Sequence, residues 1–253
     1  MPNLPTHMAL ASEAASRLSH PAIDAAMGTF LLGSTSPDIR IMTKWARDDT
    51  HFAPLSITEI GAGVQGMFRK HPALTGSNGG GASDATRAFL AGYITHLVAD
   101  ETWILEIYRT YFDGPGEPGD RIVGNIWDRA LQLDMDMEAR EQMGDMRELR
   151  RALEGAEEGV AVEFIDSETL ARWREWVSEF TTWEYTWDRL RGAARRMYKD
   201  SIEAADLVEE FLSCVPKGLE RVHSLVPREK IVDYRRTAVE ESTRLVREYL
   251  DAP

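Results

Sequence analysis

The sequence predicts an all-α protein, a multi-helix single domain (1–253) arranged around one buried central helix. Three observations point there. Nearly every long segment carries apolar residues at helical spacing, with no alternating strand-and-hairpin pattern between them. A hydrophobic content of 43% over 253 residues is enough for a substantial core. Residues 84–112 are apolar nearly all round, as a helix sheathed by others must be.

Thr6 is expected to cap a first helix over 7–19, stopped at Ser19-His20-Pro21. A second helix over 21–32 ends at Gly33, and Gly33-Ser-Thr-Ser-Pro37-Asp38 reads as a loop. Residues 40–56 are expected to be irregular, and 57–70 helical. The glycine run at 77–81 has no Lys-Ser/Thr after it, so it is a connector and not a phosphate loop. Ser83 or Asp84 caps the central helix, which closes at the Gly/Pro-rich stretch 113–119. Amphipathic helices are expected over 121–153, 167–199, 201–214 and 228–250, punctuated by Pro216 and Pro227. The first 113 residues hold the candidate site, and 114–253 carry no recognisable motif.

Charge narrows the function classes. With 42 acidic against 29 basic residues, a net charge of −13 argues against a nucleic-acid backbone as the main partner. The one cysteine, Cys214, excludes an intramolecular disulfide or a cysteine-rich zinc finger and is expected to be a small buried residue. No run approaches the roughly 18 apolar residues of a transmembrane helix. The opening residues lack the basic and apolar regions of a leader, so a cytoplasmic location is expected.

The histidines are uneven: of six, five lie within the first 96 residues. On the central helix, Phe89, Tyr93, His96, Asp100, Trp103, Ile107 and Tyr111 share one face. His96 and Asp100 are thus one turn apart in an aromatic stripe, a spacing that lets both hold one metal ion. The simpler reading is a mutual or backbone hydrogen bond within the core. His7 in the first helix, Asp38 in the Ser-Pro-Asp turn and His51 in the irregular segment would extend the pair into a metal nest.

Four separated segments stand out in order: Asn3-Leu-Pro-Thr-His7, Gly33-Ser-Thr-Ser-Pro-Asp38, Thr50-His51-Phe52 and Ala91-Gly-Tyr-Ile-Thr-His96-Leu-Val-Ala-Asp100. Together they resemble the zinc-dependent phospholipase C family, whose all-helical superfamily includes the P1-type nucleases. The resemblance implies that Asp38, His51, His96 and Asp100 ligate one zinc, and that Asp100 bridges to a second held by His7. Manganese or iron are alternative ions. It also implies a metal-bridged water or hydroxide attacking a phosphodiester, with Asp38 orienting or deprotonating it. Small phosphoesters or phospholipid headgroups are the implied substrates. Secreted relatives ligate the second metal with a processed amino terminus, whereas this sequence begins Met1-Pro2. Glu106 stands where relatives place a third-site histidine, so two ions are expected; Glu106, Asp134 and Glu138 are the remaining third-site candidates. Two other functions stay open: a helical binding module with a vestigial site, and a di-iron oxidase on the same scaffold.

Other features have less pointed readings. Trp173, Trp176, Phe180, Trp183 and Trp187 form a stripe on one expected helix, read as core or alternatively as a substrate wall. Arg40, Lys44 and Arg47 either clamp a phosphate or are solvated loop charges. Glu101 is expected to support a histidine or accept a backbone N–H. His20 and His71 are expected to be structural or exposed, and His223 to face solvent.

Overall fold

In a computed structural model of the chain, which describes residues 2–75, 82–113, 118–199 and 201–251, thirteen α-helices form and no strand does. An isolated antiparallel bridge, Val162–Ile165, is the extent of β pairing among these residues. The glycine run at 77–81 lies outside the described residues, as does 114–117 of the expected closing loop.

α1 spans Leu4–Leu18, three residues earlier than expected. Pro5 fits the first turn, where its missing N–H has no partner to lose, so Asn3 takes the cap position. Thr6 is therefore inside the helix and does not cap it. Its hydroxyl donates instead to Asp136 Oδ1 at 2.7 Å. The second expected helix is split into α2 (Pro21–Asp24) and α3 (Met27–Gly33). His20 Nδ1 accepts the Ala22 N–H at 3.2 Å, which makes His20 a structural cap. A 3-10 turn at Ser36–Ile39, the short α4 (Arg40–Thr43) and a second 3-10 turn at Arg47–Asp49 follow. The next helix, α5, is shorter than expected and runs Ala62–Lys70.

α6 (Asp84–Thr102) is the central helix, capped by Ser83 Oγ, which accepts the Thr86 N–H. It packs against α1, α3, α5 and the C-terminal helix, which is why its apolar character runs all round. Trp103–Phe112 continue it as a π-helix, where α-helix was expected. The wider turn sends Trp103, Ile104, Ile107 and Phe112 inward and leaves Glu106 and Arg109 half-buried.

The C-terminal half is α7 (Pro118–Gln142), α8 (Met146–Ala152), α9 (Ser167–Phe180), α10 (Arg189–Tyr198), α11 (Ile202–Ser213), α12 (Val215–Leu225) and α13 (Arg228–Leu250). Two expected helices are each broken. Gly144, at φ +74°, separates α7 from α8. After α9 the hydroxyls of Thr181 and Thr182 donate to the carbonyls of Ser178 and Glu179 and end the helix. The tryptophan stripe therefore does not lie on one helix: Trp173 and Phe180 are core, while Trp183 stands beyond the helix end and is 36% exposed.

Close backbone contact fixes α3 against α6. A Cβ on Gly92 would lie 1.8 Å from the Phe30 carbonyl oxygen, and one on Gly33 would lie 2.0 Å from that of Phe89. Only glycine permits this approach. It carries the end of α3, with Ser34, onto the face of α6 that bears His96.

Candidate metal centre

Two helices and two turns bring the predicted residues together. His96 and Asp100 lie on α6, His7 on α1, His51 after the second 3-10 turn and Asp38 in the first. His7, His51, His96 and Asp100 are each no more than 2% exposed. Asp38 is half-buried. Asp100 is the hub. Its Oδ1 lies 3.4 Å from His7 Nε2, and its Oδ2 lies 3.1 Å from His51 Nε2 and 3.9 Å from His96 Nε2. Arg47 Nη2 also reaches Oδ2, at 3.1 Å.

The loop that delivers His51 is held at three points. The Tyr93 hydroxyl donates to the Thr50 carbonyl. Phe52 takes φ +56° and packs edge-on to Phe164. Gly66 passes so close that a Cβ there would meet the Phe52 carbonyl oxygen at 2.1 Å. Glu101 braces the same region by accepting the N–H groups of Gly61 and Gly63, the role expected of it.

Hydrogen bonds select the histidine tautomers. His96 Nδ1 faces the Ser34 carbonyl oxygen at 2.8 Å, and a carbonyl can only accept, so the proton is on Nδ1 and the Nε2 lone pair is free. Thr50 Oγ1 donates to the Arg47 carbonyl and is thus left to accept from His51 Nδ1 at 2.9 Å, which frees His51 Nε2 in the same way. The His7 and His96 rings stack at 3.7 Å.

The electrostatics are those of a compressed charge cluster. Burial pushes the His96 imidazole well below its ordinary value, with His7 adding to the effect and Asp100 opposing it. Burial would raise the Asp100 carboxyl, but His51, His7, His96 and Arg47 outweigh it and hold the group well below the carboxylate range. Asp38 is raised, first by burial and then by Asp100. Burial lifts Glu101 to about 7 against the two N–H groups it accepts.

His96, which burial disfavours as a cation, thus points its Nε2 lone pair towards a carboxylate, and a metal ion between them would satisfy both. Among buried polar atoms, His7 Nδ1 and Nε2, His51 Nε2, His96 Nε2 and Asp100 Oδ1 have no hydrogen-bond partner. Buried polar atoms rarely go unsatisfied, and this donor set of imidazole nitrogens and carboxylate oxygens suits zinc. Two groups have ligand atoms within 4.8 Å of one another: His51, His96 and Asp100, and His7, Asp38 and His96. Asp38 thus groups with His7, where the resemblance pairs it with His51.

Residues 6–103 match the family model of zinc dependent phospholipase C. Neither the curated proteins nor the solved structures gave a match. The matched segment takes in every expected ligand from His7 to Asp100, and the match supports a metal-dependent hydrolase.

Asp38 also lines a cleft of about 690 Å³ that the segment shares with the C-terminal half. Arg40 and Lys44 contribute from the segment; Arg129 on α7 and Arg189 and Arg196 on α10 contribute from beyond it. Trp45, Trp176, Phe180, Trp183 and Tyr185 add aromatic surface, so the tryptophan stripe serves both core and cleft. Of the three early cations, Arg47 is committed to Asp100, while Arg40 and Lys44 face the cleft.

The third-site candidates do not converge. Glu106 faces Thr237 on α13, Asp134 lies 3.6 Å from His223, and Glu138 pairs with Arg235 at 3.0 Å. Two other expectations are corrected. His223 is half-buried against Asp134, which draws it off the solvent face. Cys214 is exposed, because it sits at the α11–α12 junction and outside the core. His71 pairs with Glu163 at 2.8 Å. Sequence reasoning missed Asp136, which is fully buried on α7 and takes hydrogen bonds from Asn3, Thr6 and Tyr185. The spacing Asp128-Gln132-Asp136, one polar residue per turn, was the available signal. Arg189 and Arg196 were also missed.

No helix of the described residues is long and apolar enough to cross a membrane.

Proposed function

We propose that this protein is a zinc-dependent phosphodiester hydrolase of the phospholipase C type. The observation that carries the reading is the convergence of unpartnered imidazole nitrogens on Asp100 beside a cation-lined cleft. His51, His96 and one oxygen of Asp100 would hold one ion. His7 and the other oxygen would hold a second, with Asp38 in reach. When bound, zinc supplies Lewis acidity, polarising a phosphoryl oxygen and lowering the pKa of an attacking water.

The chain's own residues do the rest. Ser34 and Thr50 fix the tautomers, so that Nε2 of His96 and of His51 is available without reorganisation. Arg47 donates to Asp100 Oδ2, which restrains the carboxylate and neutralises part of its charge. Asp38, half-buried at the cleft, is positioned to orient the attacking water and accept its proton. Arg40 and Lys44 would receive the non-scissile phosphoryl oxygens.

We read the chain as one domain, because α6 contributes side chains to both large clusters of the core. An exposed Cys214 thiol suits a reducing, cytoplasmic setting. The test is turnover of a chromogenic phosphodiester by the zinc-loaded protein. Activity is expected and should fall about 100-fold or more in Asp38→Asn, with metal retained. Full activity in Asp38→Asn would remove the assigned base, and no turnover of any diester would remove the hydrolase reading.

A further inference from the structure

The cleft carries more positive charge than a phosphodiester can use. Arg40, Lys44, Arg129, Arg189 and Arg196 line it against one carboxylate, Asp38, a net of +4 from five cations less one anion. None of the five forms an ion pair with a carboxylate among the described residues, although acidic residues outnumber basic ones 42 to 29. Some arginines elsewhere are paired, as Arg174 is with Glu157 and Arg191 with Glu209, and others, such as Arg87 and Arg109, donate to backbone carbonyls; what sets the five apart is that they share one cleft. Cations left unpaired and crowded together in so acidic a chain are costly unless an anion joins them. The crowding is felt at Arg196, which burial and then Arg129 and Arg189 push below the ordinary guanidinium value.

The aromatic surface discriminates further. A ring of tryptophan and tyrosine faces is a good receptor for a quaternary ammonium. Here three of the five cleft rings, Phe180, Trp183 and Tyr185, already carry a cation. The Arg189 guanidinium lies 4.3 Å from the Tyr185 ring centroid, 5.6 Å from that of Phe180 and 5.9 Å from that of Trp183. Arg140 stacks on Phe180 and Tyr185 as well. That part of the aromatic wall therefore presents guanidinium and would repel a second cation.

We propose that the preferred substrate is a phosphodiester bearing a second, non-scissile phosphate, which Arg129, Arg189 and Arg196 bind while the diester lies at Asp38. A diester alone brings one negative charge; a terminal phosphate adds about −1.5 to −2 and three acceptor oxygens suited to forked guanidinium donors. The inference rests on the hydrolase reading for its scissile group, but its three arginines lie beyond the family match at 6–103.

Three substrates with a common 4-nitrophenyl leaving group test it: the 4-nitrophenyl ester of glycerol 3-phosphate, the same ester with a phosphate on the far primary hydroxyl, and 4-nitrophenyl phosphorylcholine. For the zinc-loaded protein, kcat/KM should be about 10-fold or more higher for the phosphorylated ester than for the plain one, with the choline ester lowest. Arg189→Gln and Arg196→Gln should erase most of that preference through KM, and added salt should narrow it. Equal or better use of the choline ester, or a preference untouched by both variants, would overturn the proposal. Calorimetry on the full chain under chelator separates the two claims. Glycerol bisphosphate should bind about 10-fold tighter than glycerophosphocholine even where nothing is hydrolysed. Such binding without any diester turnover would leave the anion site standing and sink the hydrolase reading. Turnover with no binding preference would do the reverse.

Discussion

At the residue scale, two oxygen acceptors decide what the histidines can do. The Ser34 carbonyl and the Thr50 hydroxyl each take an Nδ1 proton, and both leave Nε2 facing Asp100. Thr50→Val keeps the shape of the side chain and removes the acceptor for His51. Metal affinity, read by competition with a chromogenic chelator, should drop about 10–100-fold with the helical circular dichroism unchanged. An unaltered affinity would mean that His51 is oriented by its loop alone. The ligand candidates were legible because His-x3-Asp on a helix is a local geometry that spacing alone fixes. Their orienting partners were not. Ser34 meets His96 through a backbone atom, which leaves no trace in residue type.

At the scale of elements, α1 is set by a carboxylate far away in sequence. Asp136 on α7 accepts from Thr6 and Asn3 at the start of α1, one residue before His7, and from Tyr185. Burial raises its carboxyl above the ordinary 3.8, and the hydrogen bonds from Thr6, Asn3 and Tyr185 offset only part of that. The folded chain thus binds this proton more tightly than the unfolded one. The stabilisation it gives is fully present below about pH 3.8 and is lost as pH rises towards the raised value. Asp136→Asn should flatten that part of the stability profile, seen in urea midpoints measured from pH 4 to 7. It should also weaken metal binding through His7. A variant as pH-sensitive as the parent would show that another group carries the slope. Helix boundaries were read less well than helix existence. Thr181, Thr182 and Gly144 end helices by local hydrogen bonding or a left-handed turn, and the apolar periodicity runs straight past them. The π-helical stretch after Thr102 keeps the same apolar side inward and so looks α-helical in sequence.

At the scale of the whole molecule, the all-α class was readable because helical periodicity repeats in nearly every segment. The central position of α6 was readable because a helix apolar on all sides has no solvent face to offer. The overall charge was a poorer guide. A net −13 speaks against a general polyanion binder, yet the cleft beside Asp38 is cationic, since Arg129, Arg189 and Arg196 reach it from helices unrelated in sequence to the ligands. That reversal of field is a tertiary property. The claim on which the rest depends is that the buried His/Asp set holds metal, and elemental analysis of the full chain after reconstitution with zinc tests it most directly. Close to two ions per chain are expected, with clear loss in His96→Ala while the protein stays helical. A parent chain that holds no stoichiometric zinc, manganese or iron, or a His96→Ala variant with unchanged metal content, would contradict it.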